Sequence, residues 1–138
     1  MRLRKDAKVE RLRIVPLFAL CSKKELAEIA PLADELDLPP GRELMHEGAR
    51  GHEFGVIIDG SAVVKKGDRK LRDLGAGDFF GEIALVTDHP RTATVTTTSD
   101  VHLLVLTATG FRELMRKSPE IQSKVLRALA DRLAPEAA

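Results

Sequence analysis

The side chains best suited to chemistry in this sequence lie within eighteen consecutive residues, Asp78 to Val95, which read DFFGEIALVTDHPRTATV. Gly81 has no side chain, so the backbone there can approach a ligand closely. Residues 82–85 are typical of one helical turn, whose first N–H groups lack intrahelical acceptors and can bind an anion. Glu82 can accept hydrogen bonds from sugar hydroxyls, and Arg91 offers a planar fork of donors that suits a phosphate. The segment therefore predicts a site for a phosphate and a sugar hydroxyl.

The residues around Arg91 favour the same interpretation. Pro90 has no N–H and fixes the turn that presents the arginine, Thr92 adds a hydroxyl group, and the small side chain of Ala93 leaves space. An ion pair between Glu82 and Arg91 across a loop is the structural alternative, because single Gly-Glu and Pro-Arg dipeptides are common. The occurrence of FGEIAL and then PRTATV in one unbroken order argues for the binding site.

Composition indicates one globular domain with a core of its own. The chain has 138 residues, of which 43% are hydrophobic and 31% charged. A formal net charge of +1 gives no general case for nucleic acid as a partner, and the sequence has no Trp or Tyr to stack on bases. The single Cys21 excludes an internal disulfide and a multi-cysteine metal site.

The basic residues near the N-terminus precede a short apolar run, Ile14 to Cys21, which matches a signal sequence only loosely. The run has eight residues, Pro16 interrupts it, and Asp6 and Glu10 lie in the charged part. No apolar stretch is long enough to span a membrane. We therefore expect a cytoplasmic location.

The hydrophobic pattern predicts helices at both ends of the chain and strands between them. Ser22 and Glu25 form a capping box ahead of an apolar helical stripe. Asp59-Gly60 is typical of a hairpin turn between alternating segments. Segments rich in Thr and Val follow at residues 93–97 and 101–106, which favours a β-sandwich or jelly-roll barrel.

The end of the chain returns to the helical period. Ser118 and Pro119 are typical of an N-cap followed by the first helical position, and Ile121 and Val125 then recur on one face of a final helix. On this pattern the chain divides into a basic extension at residues 1–14, the domain at residues 15–134 and a tail at residues 135–138.

The segments FGEIAL and PRTATV resemble the phosphate-binding cassette of cyclic nucleotide-binding domains. These are the modules of cyclic-nucleotide-dependent kinases, gated channels and bacterial regulators of the catabolite-activator type. The similarity extends from Val15 to Leu133 and includes VPLFALCSKKELAEIA and the glycines at 48, 60, 75 and 77. It implies an α+β, mainly β fold: an eight-stranded β-roll with N-terminal helices, a short cassette helix and two C-terminal helices. We call residues 78–95 the cassette.

The resemblance also implies roles for single residues. In such domains a cassette glutamate contacts the ribose 2′-hydroxyl and a cassette arginine contacts the cyclic phosphate, and these roles map onto Glu82 and Arg91. The predicted nucleotide-binding residues of the cassette are Phe80, Gly81, Glu82, Ile83, Ala84, Arg91, Thr92 and Ala93. Three further residues are predicted to contact the base, namely Val64, Leu74 and Arg132.

Thr92 bears on the choice of nucleotide. Many cAMP-selective members of the family have Ala there, whereas cGMP-responsive kinases and channels often carry Thr, whose hydroxyl can reach the guanine amino group. cGMP is therefore admissible, and we expect cAMP because bacterial domains of this kind usually bind it. The last helix, Ser118 to Leu133, is expected to cover the base and to transmit binding. Solvation of Arg132 and core packing of Val64 and Leu74 are the structural alternatives.

The remaining chemistry-bearing residues indicate no catalytic centre. His46, His52, His89 and His102 are scattered without an HxH pair, which argues against metal and against a cupin-like metalloenzyme. The basic residues at positions 65, 66, 69, 70 and 72 are interpreted as a solvated strand face. The sequence therefore predicts a sensor without enzymatic activity that acts on an effector domain or protein outside this chain. A ligand-free interaction domain of the same fold is the alternative.

Overall fold

The hydrophobic period of the sequence changes from helical to alternating and back, and the fold follows these changes. The computed structural model describes the backbone of residues 2–137 and the side chains of residues 2–131. Within the described residues, two antiparallel four-stranded sheets form a β-roll, and helices precede and follow it. The predicted mainly β fold with an eight-stranded roll is confirmed.

The helices and strands of the described residues are numbered here in chain order. The α-helices are α1 (Lys5–Arg13), α2 (Lys23–Ile29), α3 (Ala108–Lys117) and α4 (Pro119–Ala137). Short 3-10 helices span Pro16–Phe18, Ala30–Leu32 and Glu82–Leu85, and we call the last of these the cassette helix. The strands are β1 (Asp34–Leu38), β2 (Glu43–Met45), β3 (Glu53–Asp59), β4 (Ala62–Lys66), β5 (Arg69–Leu74), β6 (Phe79–Phe80), β7 (Thr94–Thr97) and β8 (Val101–Thr107).

In both sheets, strands that are neighbours in space are mostly distant in the sequence. One sheet has the order β1-β8-β3-β6 and the other has the order β2-β7-β4-β5. Strand β8 is covered on both faces, because Leu104 and Leu106 belong to the core under the helices while Leu103 and Val105 belong to the core inside the roll. A strand buried on both faces reads as a nearly continuous apolar run, which explains the segment VHLLVL.

The larger core lies between the helices and the first sheet. The ring of Phe18 lies 6.2 Å from that of Phe54 in β3 and 5.4 Å from that of Phe111 in α3, measured between centroids. Val9 and Leu12 of α1 are buried in the same core. The predicted basic extension therefore contributes to the core, and the domain boundary after residue 14 stays a prediction.

Local signals determine where α2 begins and ends. Ser22 Oγ accepts a hydrogen bond from Glu25 N at 3.1 Å, and Glu25 Oε1 accepts one from Ser22 N at 2.8 Å, which completes the predicted capping box. The helix ends at Ile29, and a 3-10 turn replaces it from Ala30, because Pro31 has no N–H group to donate to a carbonyl oxygen one turn earlier. Strand β1 follows, and it was not predicted because its residues are exposed or only half-buried.

The final helix packs against the other helices. It begins at Pro119, as predicted, and buries Ile121, Val125 and Ala128. Lys124 Nζ donates a hydrogen bond to Glu25 Oε1 at 2.6 Å, which joins α4 to α2. Among the described residues, we find no helix that combines the length and the apolarity needed to cross a bilayer.

The Lys124–Glu25 contact predicts a pH-dependent contribution to stability. The hydrogen bond from Lys124 is the main cause that lowers the pKa of Glu25 below its ordinary value of 4.5. A carboxyl group whose pKa is lowered by folding stabilises the fold above its ordinary pKa, and this contribution is lost as the pH falls. We therefore expect Lys124→Met to unfold at lower urea concentration than the wild type at neutral pH, with a gap that narrows below about pH 4.5.

The matched control is Lys117→Met, which removes an exposed lysine that lies 3.8 Å from Glu113 in an i,i+4 pair. This variant should differ little from the wild type at any pH. If the difference in unfolding urea concentration between the wild type and Lys124→Met does not change with pH, the pH-dependent role of the Lys124–Glu25 contact is contradicted.

Candidate functional site

A pocket of about 400 Å³ lies beside the cassette, where β2 and β5 of the second sheet approach it. Most of its wall comes from the cassette itself. The lining residues are Met45, Arg72, Phe79, Phe80, Gly81, Glu82, Ile83, Ala84, His89, Pro90, Arg91 and Thr92. The structure therefore brings the two halves of the predicted motif, FGEIAL and PRTATV, to one cavity.

Gly81 turns the chain from β6 into the cassette helix. Its φ of +75° lies in the left-handed region, which residues with a Cβ adopt only at a cost. Glu82 follows as the first residue of the helix, is 6% exposed and is one of the residues that line the pocket. The helix is one turn long, so its first N–H groups have no intrahelical acceptor. This end of the helix can therefore combine N–H donors with a carboxylate acceptor.

Arg91 is held in place by oxygen atoms from two other segments. Its Nη2 donates to the carbonyl oxygen of Glu53 at 2.6 Å, and its Nη1 lies 3.5 Å from the carbonyl oxygen of Gly81. Its backbone N–H donates to Ala49 O at 2.8 Å, and its backbone oxygen accepts from Gly48 N at 2.8 Å. The guanidinium is thus fixed at the pocket by both its side chain and its backbone.

The electrostatic environment of Arg91 suits an anion. The residue is 9% exposed, and burial lowers the pKa of its guanidinium while the nearby Glu53 opposes the shift. Arginine remains protonated near neutral pH even when buried. A cation that is shielded from water attracts an anionic ligand more strongly than an exposed cation does, because the effective dielectric constant around it is lower.

Two glycines leave the space that the guanidinium occupies. A Cβ atom at Gly51 would overlap the Arg91 guanidinium, and one at Gly81 would lie 2.7 Å from Arg91 Nη1. Gly51 does not have a positive φ, so the space it leaves, and not its backbone conformation, explains why glycine fits there. Sequence reasoning did not single out Gly51, because no local pattern shows which side chain will lie against it.

The structure separates the predicted site residues into three groups. Those that line the pocket are Phe80, Gly81, Glu82, Ile83, Ala84, Arg91 and Thr92. Three others, Val64, Leu74 and Ala93, are buried in the core inside the roll and are absent from the pocket lining. Contact of these three with a nucleotide stays a prediction. The side chain of Arg132 lies outside the described residues, and no described residue of α4 lines the pocket.

Arg72 is a pocket residue that the sequence analysis assigned to a solvated face. In the pairing of β4 with β5, Val64 lies opposite Arg72 and Ala62 lies opposite Leu74, so Arg72 and Leu74 share a face of the strand. Leu74 is buried inside the roll, and Arg72 reaches the pocket from the same face. The spacing of two residues between Arg72 and Leu74 was the signal that could have identified it.

The histidines are dispersed in the fold as in the sequence. His89 lines the pocket, whereas His46 contacts Glu43 and His102 contacts Asp37 at the surface. Among the described side chains, no group of three or more His, Cys, Asp and Glu residues is arranged to hold a metal ion.

Comparison with known proteins identifies relatives of this chain. The family model described as the cyclic nucleotide-binding domain matches residues 35–118. A cAMP-dependent protein kinase regulatory subunit from Hypocrea atroviridis is 36% identical over 101 residues, which are 73% of this chain and 22% of the relative. The chain spans between 19% and 33% of the length of curated relatives that it matches.

Solved structures give the same result. The N-terminal domain of a transcriptional regulator from Streptomyces coelicolor A3(2) is 31% identical, with a TM-score of 0.83 and coverage of 92% of each chain. The cAMP-bound structure of PfPKA-R is 25% identical, with a TM-score of 0.69, and the match covers 91% of this chain and 47% of that one. The family match covers more than half of the sequence and the structural match nearly all of it, so the chain belongs to the family of cyclic nucleotide-binding domains.

Proposed function

We propose that the pocket binds cAMP, and cGMP less tightly, and that the chain acts as a regulatory sensor. The observation that carries the proposal is the buried guanidinium of Arg91 on the same pocket as the carboxylate of Glu82. Arg91 would bind the cyclic phosphate, since its guanidinium has more N–H donors than the two that contact Glu53 and Gly81. Glu82 would accept a hydrogen bond from the ribose 2′-hydroxyl.

The preference for cAMP draws on the relatives. One relative is named as a cAMP-dependent kinase regulatory subunit, and the solved PfPKA-R structure contains cAMP. In this chain the residues available to the base are Ile83, which is exposed, Thr92 and Arg72. The hydroxyl of Thr92 would add a hydrogen bond to the guanine amino group, which adenine lacks at that position. It would therefore reduce the difference in affinity between cAMP and cGMP, and cAMP would still bind more tightly.

The output of the sensor is proposed to pass through the C-terminal helices. In the structure, α4 lies against α2 and α3, held by Lys124 and by its buried apolar face. Nucleotide binding would shift an existing equilibrium toward a state in which the end of α4 covers the base. An effector domain or a separate protein would then respond to the position of this helix.

The first test is titration calorimetry with cAMP and cGMP on the wild type and on Arg91→Ala. We expect the wild type to bind, and the variant to lose about 2–5 kcal/mol of binding free energy, because a buried charge contact to the phosphate is removed. Arg91→Lys should recover part of the loss, since it retains the charge without the planar fork. Absence of binding heat for the wild type with both nucleotides would contradict the sensor and favour a ligand-free interaction domain.

The space at Gly51 gives a second test, in which none of the residues predicted to contact the nucleotide is changed. Gly51→Ala should displace the guanidinium of Arg91 and weaken cAMP about tenfold, as expected when a hydrogen bond to a charged group is lost. Gly75→Ala is the matched control, because a Cβ atom there meets nothing within 4 Å and the φ of Gly75 is not positive. Equal cAMP affinities for the two variants would show that the position of the guanidinium does not limit binding.

Thr92→Ala tests the contact with the base. Removal of one neutral hydrogen bond should weaken cGMP by about two- to tenfold and leave cAMP within about twofold. Competition binding with both nucleotides measures the ratio directly. An equal loss for both would place the Thr92 hydroxyl on the phosphate or the sugar.

A further inference from the structure

Arg112 of α3 reaches across to the cassette and contacts it at four points. Its Nη2 donates to the carbonyl oxygens of Ala84 at 3.2 Å and of Thr87 at 3.1 Å. Its Nε donates to the carbonyl oxygen of Leu85 at 3.3 Å, and its Nη1 lies 3.3 Å from Asp88 Oδ1. One side chain therefore joins a C-terminal helix to the last two residues of the cassette helix and to Thr87 and Asp88 just after it.

The carbonyl oxygens at this end of the cassette helix need a donor from elsewhere. The last carbonyl groups of a helix have no intrahelical partner. Ala84 and Leu85 are 5% and 0% exposed, so water has little access to them. A buried carbonyl without a donor is destabilising, and a cation at a helix C-terminus is favourable. Arg112 meets both requirements.

The opposite end of the same helix forms the wall of the pocket. Gly81, Glu82, Ile83 and Ala84 line the cavity, and Ala84 is also the first residue of the helix that Arg112 contacts. The cassette helix has only four residues, so a displacement of its pocket end moves its other end as well. Arg112 is thus the polar contact through which α3 meets the part of the cassette that would touch a ligand.

Helix α3 is in turn connected to the rest of the C-terminal region. Phe111, which precedes Arg112, is fully buried against Phe18. Only Ser118 separates α3 from α4, and its N–H donates to Leu114 O at 2.9 Å. A change in the position of α3 would therefore be passed directly to the start of α4.

We propose that Arg112 is a positioning residue that holds the cassette helix ready for the nucleotide and couples its occupancy to α3 and α4. The inference rests on the proposed function, since it concerns the response to the nucleotide at the same pocket. Arg112 itself does not line the pocket, so it acts through the cassette helix and not by touching the ligand.

The test combines calorimetry with hydrogen–deuterium exchange on the wild type and Arg112→Ala. We expect Arg112→Ala to bind cAMP about tenfold more weakly, because the cassette must then be ordered on binding. At saturating cAMP the wild type should change its exchange in both residues 82–88 and residues 108–117. The variant should keep the first change and lose the second. Arg112→Lys should lie between the two, since its ammonium reproduces the charge but not the fork.

Two controls separate this role from a general effect on α3. Arg116→Ala removes an arginine one turn further along the helix, whose side chain is 74% exposed and pairs with Glu113. Asp88→Asn removes the ion pair and leaves the three carbonyl contacts of Arg112 in place. Both should respond to cAMP like the wild type. A wild-type response of residues 108–117 in Arg112→Ala, or an affinity equal to that of Arg116→Ala, would overturn the coupling.

Exchange in the absence of nucleotide keeps the inference testable on its own. If Arg112 positions the cassette helix, residues 82–88 should exchange faster in nucleotide-free Arg112→Ala than in nucleotide-free wild type. Equal exchange would overturn the positioning role. Absence of any cAMP binding by the wild type would instead contradict the proposed function and with it the coupling, while the nucleotide-free comparison would still decide the positioning role. If Arg112→Ala melts at a markedly lower temperature, Arg112→Lys provides the same comparison.

Discussion

The architecture of the pocket depends on where a buried guanidinium can be placed. Arginine keeps its proton near neutral pH, so it can be buried only where its donors meet oxygen atoms. Arg91 meets carbonyl oxygens of Glu53 and Gly81, which come from the start of β3 and from the entrance of the cassette helix. Because these segments are distant in sequence, the arginine fixes the distance between them. Gly51 makes this possible by leaving the volume that the guanidinium occupies.

A second guanidinium supports the cassette helix from its other end. A single 3-10 turn makes few hydrogen bonds of its own, so its position depends on its neighbours. The Arg91 side chain contacts the carbonyl oxygen of Gly81, the residue before the helix, and the Arg112 side chain contacts the carbonyl oxygens at the end of the helix. Leu85, which is fully buried, anchors the helix in the core. The two arginines differ in solvent access: Arg91 is 9% exposed, and the side chain of Arg112 is 35% exposed. The contact at the C-terminal end is therefore the easier one to exchange for water.

The features that could be predicted from sequence are those whose signals are local. The capping box was predictable because Ser22 and Glu25 lie only three residues apart. The two segments FGEIAL and PRTATV were predicted to form one site because both lie within the eighteen residues of the cassette. Arg72 was assigned to a solvated face because several of its neighbours in the sequence are basic, although the buried Leu74 two residues further on lies on the same face of β5. Strand β1 was missed for a related reason, since it is defined by pairing with the distant β8 and not by its own composition.

The pocket divides into a part that is fixed and a part that is open. The groups proposed to bind phosphate and ribose, Arg91 and Glu82, are buried and held by the fold. The candidates for the base differ, because Ile83 and Thr92 are exposed and the described part of α4 does not reach the pocket. Phosphate and ribose are common to cAMP and cGMP, so under the proposed function the fixed part would set the affinity for both nucleotides alike. Any discrimination between them must then arise from the exposed side chains and from whatever covers the base, which makes selectivity easier to change than binding.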